Sequence, residues 1–316
     1  MKFNTDDISD YVIKKESSLY PGLFVHKYTR DVFYKKLWDK DERIEEARGI
    51  VTDGNNNVIV RPFKKIYNYG ERVCDLPLGN SCVVVNKING FLGVVSINPH
   101  TSELIYSTTG SLDSDFAKLA KKVITSTVDK DVMQEYFEVA LFEGQPISMM
   151  FEICDPTDPH IIVEQAGAYL TGIRNINTGR LENERVLDYV GKDIKALRPA
   201  WIIDSFQNAL EEVKHCTREG FIIRGMRLQE DINIKIKSPF YLQKKALQRI
   251  SKNTIVDMFT NVDKFIQNKQ LDEEFIGLVR WVTSTFEEEQ WANMLEADRS
   301  NVIHDYFNDH SYMDGY

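Results

Sequence analysis

Between about residues 49 and 109 the chain alternates short apolar runs with turn-forming clusters, which is the spacing of strands. Val58-Ile59-Val60 follows Asp53-Gly54-Asn55-Asn56-Asn57, and this predicts a hairpin over 49–61. Runs at 83–86, 91–97 and 104–109 read as three more strands. The period changes over 113–124, where Phe116, Leu119, Ala120 and Val123 share one helical face and Lys118, Lys121 and Lys122 fall largely away from it. A second helix is expected over about 130–143. Short strands return at 149–153, 161–164 and 169–175, then a helix over 203–215, then strands at 221–224 and 232–237. In the last of these Ile232, Ile234 and Ile236 alternate with Asn233, Lys235 and Lys237, the period of a half-buried strand.

Beyond Tyr241 the pattern is helical. Ile255, Phe259, Val262 and Ile266 form one apolar stripe, and Phe275, Leu278, Val279 and Val282 form another. Two shorter helices are expected around Trp291, Met294 and Leu295 and around Val302, Ile303, Tyr306 and Phe307. The reading is an α+β domain of antiparallel sheets with flanking helices over 1–245, followed by an all-helical domain over 246–316. The first forty residues are mixed, rich in aromatics and lysines, and yield no element.

Composition narrows the function. The 316 residues are 42% apolar, enough for a packed core, and charged residues are interspersed rather than blocked. A net charge of −9 argues against a generally basic nucleic-acid coat protein but leaves room for a local basic groove. Cys74, Cys82, Cys154 and Cys216 are scattered without a CxxC pair, and the six histidines form no HxxxH or HxH cluster. A zinc site or a disulfide framework is therefore disfavoured, and reduced thiols in a cytoplasmic compartment are expected. The N-terminus lacks the apolar core of a signal peptide, and no apolar run approaches the ~20 residues of a membrane span.

Four segments carry candidate chemistry. Lys87 ends a β-branched run, in Val83-Val84-Val85-Asn86-Lys87-Ile88-Asn89-Gly90-Phe91. A lysine amine becomes a nucleophile when burial or nearby cations favour its neutral form. Read alone, the segment also suits a surface lysine in a turn, because Asn-Gly is a common turn pair. Lys235 and Lys237 stand at i and i+2 of one strand, so both ammonium groups face one side, as a phosphate would require; a solvated strand face is the plain alternative. Glu152 and Glu219 sit in apolar runs and want a partner such as a ribose hydroxyl, a lysine or Mg²⁺, unless each simply reaches solvent at an edge. Arg48-Gly49 and Arg61-Pro62-Phe63-Lys64-Lys65-Ile66-Tyr67-Asn68 add cations upstream.

As an ordered series these segments resemble the covalent nucleotidyltransferase superfamily of polynucleotide ligases and capping enzymes. The likeness is nearest to the phage RNA ligase 1 family and the ligase domain of fungal tRNA ligases. Arg48-Gly49 and Arg61-Pro62 with Lys65 and Asn68 resemble the N-terminal signature, and Lys87-Ile88-Asn89-Gly90 resembles motif I. Ser107-Thr108-Thr109-Gly110-Ser111 is similar to the S-K-G-S element, with Thr109 in place of lysine. Phe151-Glu152-Ile153-Cys154-Asp155 resembles motif III, and Tyr169-Leu170-Thr171-Gly172-Ile173-Arg174 motif IIIa. Glu219-Gly220-Phe221-Ile222-Ile223-Arg224 resembles motif IV, and Lys235-Ile236-Lys237-Ser238-Pro239-Phe240-Tyr241 motif V. Asn89 stands where the phage enzymes usually have Asp, and tRNA ligases resemble this sequence in having Asn there.

The resemblance implies an ATP-grasp-like nucleotidyltransferase fold and an ATP-dependent RNA ligase. In that reaction Lys87 attacks the α-phosphorus of ATP, AMP passes to an RNA 5′-phosphate, and a 3′-hydroxyl displaces AMP. It implies that Lys87, Glu152, Glu219, Lys235 and Lys237 are catalytic and that Glu219 holds Mg²⁺, with Mn²⁺ as a substitute. Nucleotide contacts would come from Arg48, Lys65, Asn86, Asn89, Gly90, Glu152, Arg174, Lys235 and Lys237. Lys118, Lys121, Lys122, Lys244, Lys245, Arg249 and Lys252 are candidate RNA phosphate contacts, weakening with salt. The acidic C-terminal stretch (Glu287-Glu288-Glu289, Asp298, Asp305, Asp309, Asp314) is not, and the C-terminal helices are expected to shape substrate choice.

The expected substrate is RNA with 5′-phosphate and 3′-hydroxyl ends in a single strand or loop, such as a broken tRNA anticodon. The setting would be the cytoplasm, including a host cytoplasm if the chain is viral. No GxxxxGK[ST] is present, so end healing calls for a separate kinase and phosphatase. Two alternatives stand beside this reading: a DNA ligase or capping-type enzyme, disfavoured by the helical tail, and an inactive RNA-binding or assembly protein with a ligase fold.

Overall fold

The computed structural model describes residues 1–72, 75–227, 230–250 and 254–309; Cys74, Lys252 and Asp314 lie outside the described residues, as does the side chain of Arg249. The strands are β1 (Val12–Glu16), β2 (Leu23–Tyr28), β3 (Arg48–Asp53), β4 (Val58–Val60), β5 (Tyr67–Asn68), β6 (Ser81–Asn86), β7 (Phe91–Ile97), β8 (Leu104–Thr108), β9 (Ile147–Cys154), β10 (Gly167–Asn175), β11 (Trp201–Ser205), β12 (Gly220–Arg227) and β13 (Glu230–Lys237). The helices are α1 (Arg30–Tyr34), α2 (Arg43–Glu46), α3 (Asp115–Thr127), α4 (Lys130–Phe142), α5 (Glu184–Asp193), α6 (Phe206–His215), α7 (Pro239–Arg249), α8 (Ile255–Thr260), α9 (Val262–Lys269), α10 (Glu273–Thr285), α11 (Glu288–Asn293) and α12 (Glu296–Asp309). The mixed α+β class, with antiparallel sheets, flanking helices and a helical C-terminal region, is as the pattern predicts.

The chain divides into two compact units, residues 1–65 with 88–199 and residues 66–87 with 200–316. The expected boundary at 245 falls inside the second unit, because the C-terminal helices group with a sheet.

In the first unit one sheet has the order β1-β2-β3-β4 and the other β10-β9-β7-β8. The predicted hairpin is β3–β4, and its turn is built by Asp53: the carboxylate accepts from the backbone N–H of Asn55 and Asn57 (2.8 Å each) and from the Asn57 side chain (2.9 Å). Helices α3 and α4 start where Ser114 and Asp129 accept from backbone N–H groups of the first turn. The buried face of α3 is Ala117, Ala120, Val123 and Ile124, one step round from the expected stripe. Phe116 stays half exposed with its ring against Phe91. The core joins Val95, Met149, Phe151, Ile153 and Leu170 of the sheet to Ile124 of α3, Phe137 of α4 and Leu187 of α5.

The strand expected at 161–164 is absent. Pro156 and Pro159 precede it and lack the N–H a ladder needs, the Ile162 N–H is taken by the Asn89 side chain, and Val163 is exposed. The segment is a loop beside a cavity of about 260 Å³ lined by Asn89, Cys154, Asp155 and His160 among others.

The second unit is a five-stranded sheet of order β11-β6-β12-β13-β5, with α6 packed through Phe206, Ala209 and Val213 against Val84, Ile223, Ile234 and Ile236. Isoleucines of β13 face this core, as the alternation predicts. The expected helix at 203 begins later: 201–205 pairs with β6 as an edge strand, and Ser205 caps α6. Helix α7 starts at Pro239 with the Ser238 hydroxyl accepting from the Tyr241 N–H. The apolar stripe over 255–266 is split, because Asn261 is extended and caps a new helix, so α8 and α9 are separate. The stripe over 275–282 is one helix, α10, and its four residues are fully buried.

Candidate active site

Strands β6 and β7 flank Lys87 as predicted, yet they belong to different sheets and do not pair. Lys87 is therefore not in a hairpin turn. Its backbone and its side chain are both fixed by the start of β12. The Lys87 N–H donates to the Gly220 carbonyl (2.9 Å), and its Nζ lies 2.8 Å from Glu219 Oε1. The Glu219 side chain is only 5% exposed. A buried carboxylate this close to an ammonium is a charge pair shielded from water, which orients the amine.

The same corner is fastened from below. The Ser238 N–H donates to the Glu219 carbonyl (2.9 Å), and the Ser238 hydroxyl donates to the Arg218 carbonyl (2.5 Å). In the β12–β13 ladder Gly220 stands opposite Lys237 and Ile222 opposite Lys235. Gly220 has φ +134°, and a Cβ there would lie 2.0 Å from the Ile236 carbonyl oxygen. Glycine is thus required for the start of β12 to lie this close to the end of β13. Asn86, the last residue of β6, pairs with Phe221, and its N–H donates to the Ala200 carbonyl (2.9 Å). The second unit thus brings Lys87, Glu219, Lys235 and Lys237 to one end of adjacent strands.

Lys237 is buried, and burial pushes its pKa down to about 7. Lys245 and Lys235 act in the same direction, while Asp272 and Glu219 oppose them. Its ammonium is in direct contact with the Glu274 carboxylate, from the first turn of α10. Lys245, one of the expected phosphate contacts, pairs with Asp272, and Lys244 lies over the Phe240 ring (4.2 Å). Lys118, Lys121 and Lys122 are exposed along α3.

In the first unit Glu152 Oε1 accepts from the Gly90 N–H (3.2 Å). Gly90 packs so near β9 that a Cβ would lie 2.3 Å from the Ile153 carbonyl oxygen. Asn89 is buried, and its side-chain oxygen accepts from Ile162 (3.0 Å), an amide role that pins the loop after β9. Asn89, Gly90 and Glu152 are therefore brought together. Arg48 opens β3 opposite Lys27. Lys65 is buried with its ammonium over the Trp38 ring (5.2 Å) and the Phe33 ring (5.6 Å).

Arg174 is not among these neighbours. Its guanidinium donates to Glu46 through both terminal nitrogens (2.9 and 2.7 Å), and to the Pro62 (2.5 Å) and Gly179 (2.9 Å) carbonyls. Arg61 donates to the same Glu46 (2.9 Å). Burial alone would raise the Glu46 pKa, but the hydrogen bonds and charge of Arg174 and Arg61 outweigh it and hold the carboxyl below its usual range. Sequence reasoning missed Glu46 and Glu274; each meets its partner only through the tertiary fold.

Among the described residues no three His, Cys, Asp or Glu side chains cluster as a metal site. A magnesium ion held by one carboxylate and substrate phosphates needs no such cluster, and Glu219 can supply that carboxylate.

Residues 46–246 match the model of an RNA ligase family. The chain belongs to that RNA ligase family. The match spans every segment from Arg48 to Tyr241 that suggested it and stops before Glu274. No curated protein matches the sequence. Among solved structures, the fold is similar to an archaeal ATP-dependent RNA ligase (TM-score 0.56, 12% identity, 93% of this chain and 72% of that one). It is similar as well to an Aquifex aeolicus protein provisionally named an ATP-dependent DNA ligase (TM-score 0.56, 10% identity, 95% and 74%). The RNA ligase family member therefore has the nucleotidyltransferase fold of such ligases. Among its described residues no helix is long and apolar enough to cross a membrane.

Proposed function

We propose that this protein joins RNA 5′-phosphate and 3′-hydroxyl ends at the expense of ATP, through a lysyl-AMP intermediate on Lys87. The observation that carries the reading is the pairing of Lys87 with buried Glu219, at the strand end shared with Lys235 and Lys237, in a member of an RNA ligase family. In the first step Lys87 Nζ forms a bond to the α-phosphorus of ATP, pyrophosphate leaves, and the amine gives up its proton. In the second, an RNA 5′-phosphate oxygen displaces the lysine and carries AMP. In the third, a 3′-hydroxyl gives up its proton and attacks the phosphorus of the RNA 5′-phosphate, and the bond from that phosphorus to AMP breaks.

Charge accumulates on the α-phosphate as it is attacked in the first two steps and as AMP departs in the third, and Lys235 and Lys237 are the residues proposed to neutralise it. Glu219 orients Lys87 and, in the presence of Mg²⁺ or Mn²⁺, would lend its carboxylate to the ion. The ion would supply further positive charge to the phosphates. Glu152 is assigned to the AMP ribose, Asn86, Asn89 and Gly90 to the nucleoside, and Arg48 and Lys65 to the departing phosphates. Arg174 is assigned to holding the strands through Glu46. RNA repair, with tRNA as one substrate and a separate enzyme to heal ends, fits this chemistry.

A 5′-phosphorylated single-stranded RNA incubated with protein, ATP and Mg²⁺ should yield joined or circular product, with no product when GTP replaces ATP. Binding of the RNA without joining under any nucleotide and metal condition would favour the RNA-binding alternative. Joining confined to DNA ends would favour the DNA ligase alternative.

A further inference from the structure

Lys237 Nζ is in direct contact with Glu274 Oε1, and the Glu274 side chain is fully buried. Glu274 lies 37 residues further along the chain, beyond the segment matched to the family, in the first turn of α10. The helix is firmly placed: Phe275, Leu278, Val279 and Val282 are fully buried in the C-terminal core, and its preceding residue Asp272 pairs with Lys245 of α7. Glu274 is thus carried on a rigid support to the lysine assigned to the α-phosphate.

The charges around Lys237 explain why a carboxylate is needed there. Lys235 from its own strand and Lys245 from α7 repel its ammonium; Glu219 from the β12 corner, Asp272 and Glu274 attract it. Burial favours the neutral amine, which cannot grip a phosphate. An ammonium has three N–H donors, and one hydrogen bond to Glu274 leaves two directions for phosphate oxygens. Among the described residues the second oxygen, Glu274 Oε2, is buried with no hydrogen-bond partner, so the carboxylate's hydrogen bond is the one to Lys237.

We propose that Glu274 is a positioning residue for Lys237, keeping it charged and aimed, and that the C-terminal helices thereby take part in nucleotidyl transfer as well as in RNA selection. This rests on the assignment of Lys237 to the phosphate.

The test is Glu274→Gln, which removes the charge and keeps the shape. Without the carboxylate Lys237 loses its proton at lower pH. The rate of label transfer from α-labelled ATP to protein should fall ~10- to 100-fold at pH 8, and the alkaline limb of its pH profile should move to lower pH by about one unit. The Lys237 titration followed by NMR of ¹⁵N-lysine protein, assigned with Lys237→Arg, should move the same way. Should Glu274→Gln fail to fold, Glu274→Asp carries the test; it keeps the charge a methylene further off, and is expected to slow transfer several-fold with the alkaline limb in place. A folded Glu274→Gln protein with unchanged rate, pH profile and Lys237 titration overturns the inference alone, as does a Glu274→Asp protein at the wild-type rate where only that variant folds. Wild-type protein that takes no label overturns the nucleotidyl-transfer reading and this inference with it.

Discussion

Lys87→Arg protein is expected to fold like the wild type, to take no AMP from ATP, and still to seal RNA that already carries a 5′-linked AMP. Arginine stays protonated and cannot act as the nucleophile, but its guanidinium can keep the ion pair with Glu219. Lys87→Ala should show the same activity pattern with an added loss of stability, because the Glu219 carboxylate, 5% exposed, then lacks its lysine. Joining of ordinary 5′-phosphate RNA should drop by on the order of 10⁴-fold or more in both, as for loss of a covalent nucleophile. Sealing of pre-adenylated RNA bypasses the lysine and should survive, most clearly in Lys87→Arg. Gel assays of both substrates beside thermal unfolding separate the two effects. Joining of 5′-phosphate RNA at the wild-type rate by either variant would remove Lys87 from the chemistry.

Gly220→Ala is expected to damage stability and activity together. The backbone at this position has φ +134°, where an L side chain is strained. The new methyl would meet the Ile236 carbonyl oxygen at 2.0 Å and Lys237 Cα at 2.8 Å. Both are backbone atoms, so no side-chain rotation relieves the overlap, and β12 must move away from β13. That movement displaces the Glu219 carboxylate paired with Lys87 at 2.8 Å, and it pulls the Gly220 carbonyl from the Lys87 N–H it holds at 2.9 Å. A loss of about 3 kcal/mol in denaturant unfolding is expected from strain and overlap. The residual folded protein should transfer AMP ~100-fold more slowly, the cost of displacing a nucleophile by about an ångström. A variant with the wild-type midpoint and rate would mean that the close approach at Gly220 does not set the geometry of the site.

The strands that carry the site were legible because their signals are local. Ile232, Ile234 and Ile236 alternate with polar residues, so β13 and the side-by-side placement of Lys235 and Lys237 followed from periodicity alone. The Asp53 turn announced the β3–β4 hairpin in the same way. Elements without a period were missed. The edge strand β11 exposes Ile202 and Ile203, so its apolar residues do not alternate with polar ones, and β1, β2 and α5 lie in stretches of mixed composition. The run 161–164 looked like a strand because it is apolar, but prolines and the Asn89 side chain hold it as a loop.

Partnerships were the least legible part. Lys87, Glu152 and Glu219 could be named as candidates, whereas the sequence has no mark by which Glu219 selects Lys87, Glu274 selects Lys237, or Glu46 selects Arg174 across 128 residues. Asn89 illustrates the same limit from the other side. As a motif residue it suggested nucleotide contact, and its buried amide turns out to fasten the loop after β9 as well.

The central claim is a covalent bond between Lys87 and AMP. The most direct measurement is to incubate purified protein with Mg²⁺ and α-³²P-labelled ATP or GTP, denature it, and map any retained label to a peptide. The account predicts label from ATP and not from GTP, surviving denaturation and located on Lys87. Folded protein, free of pre-bound AMP, that retains no label from either nucleotide, or that carries it on another residue, would contradict it.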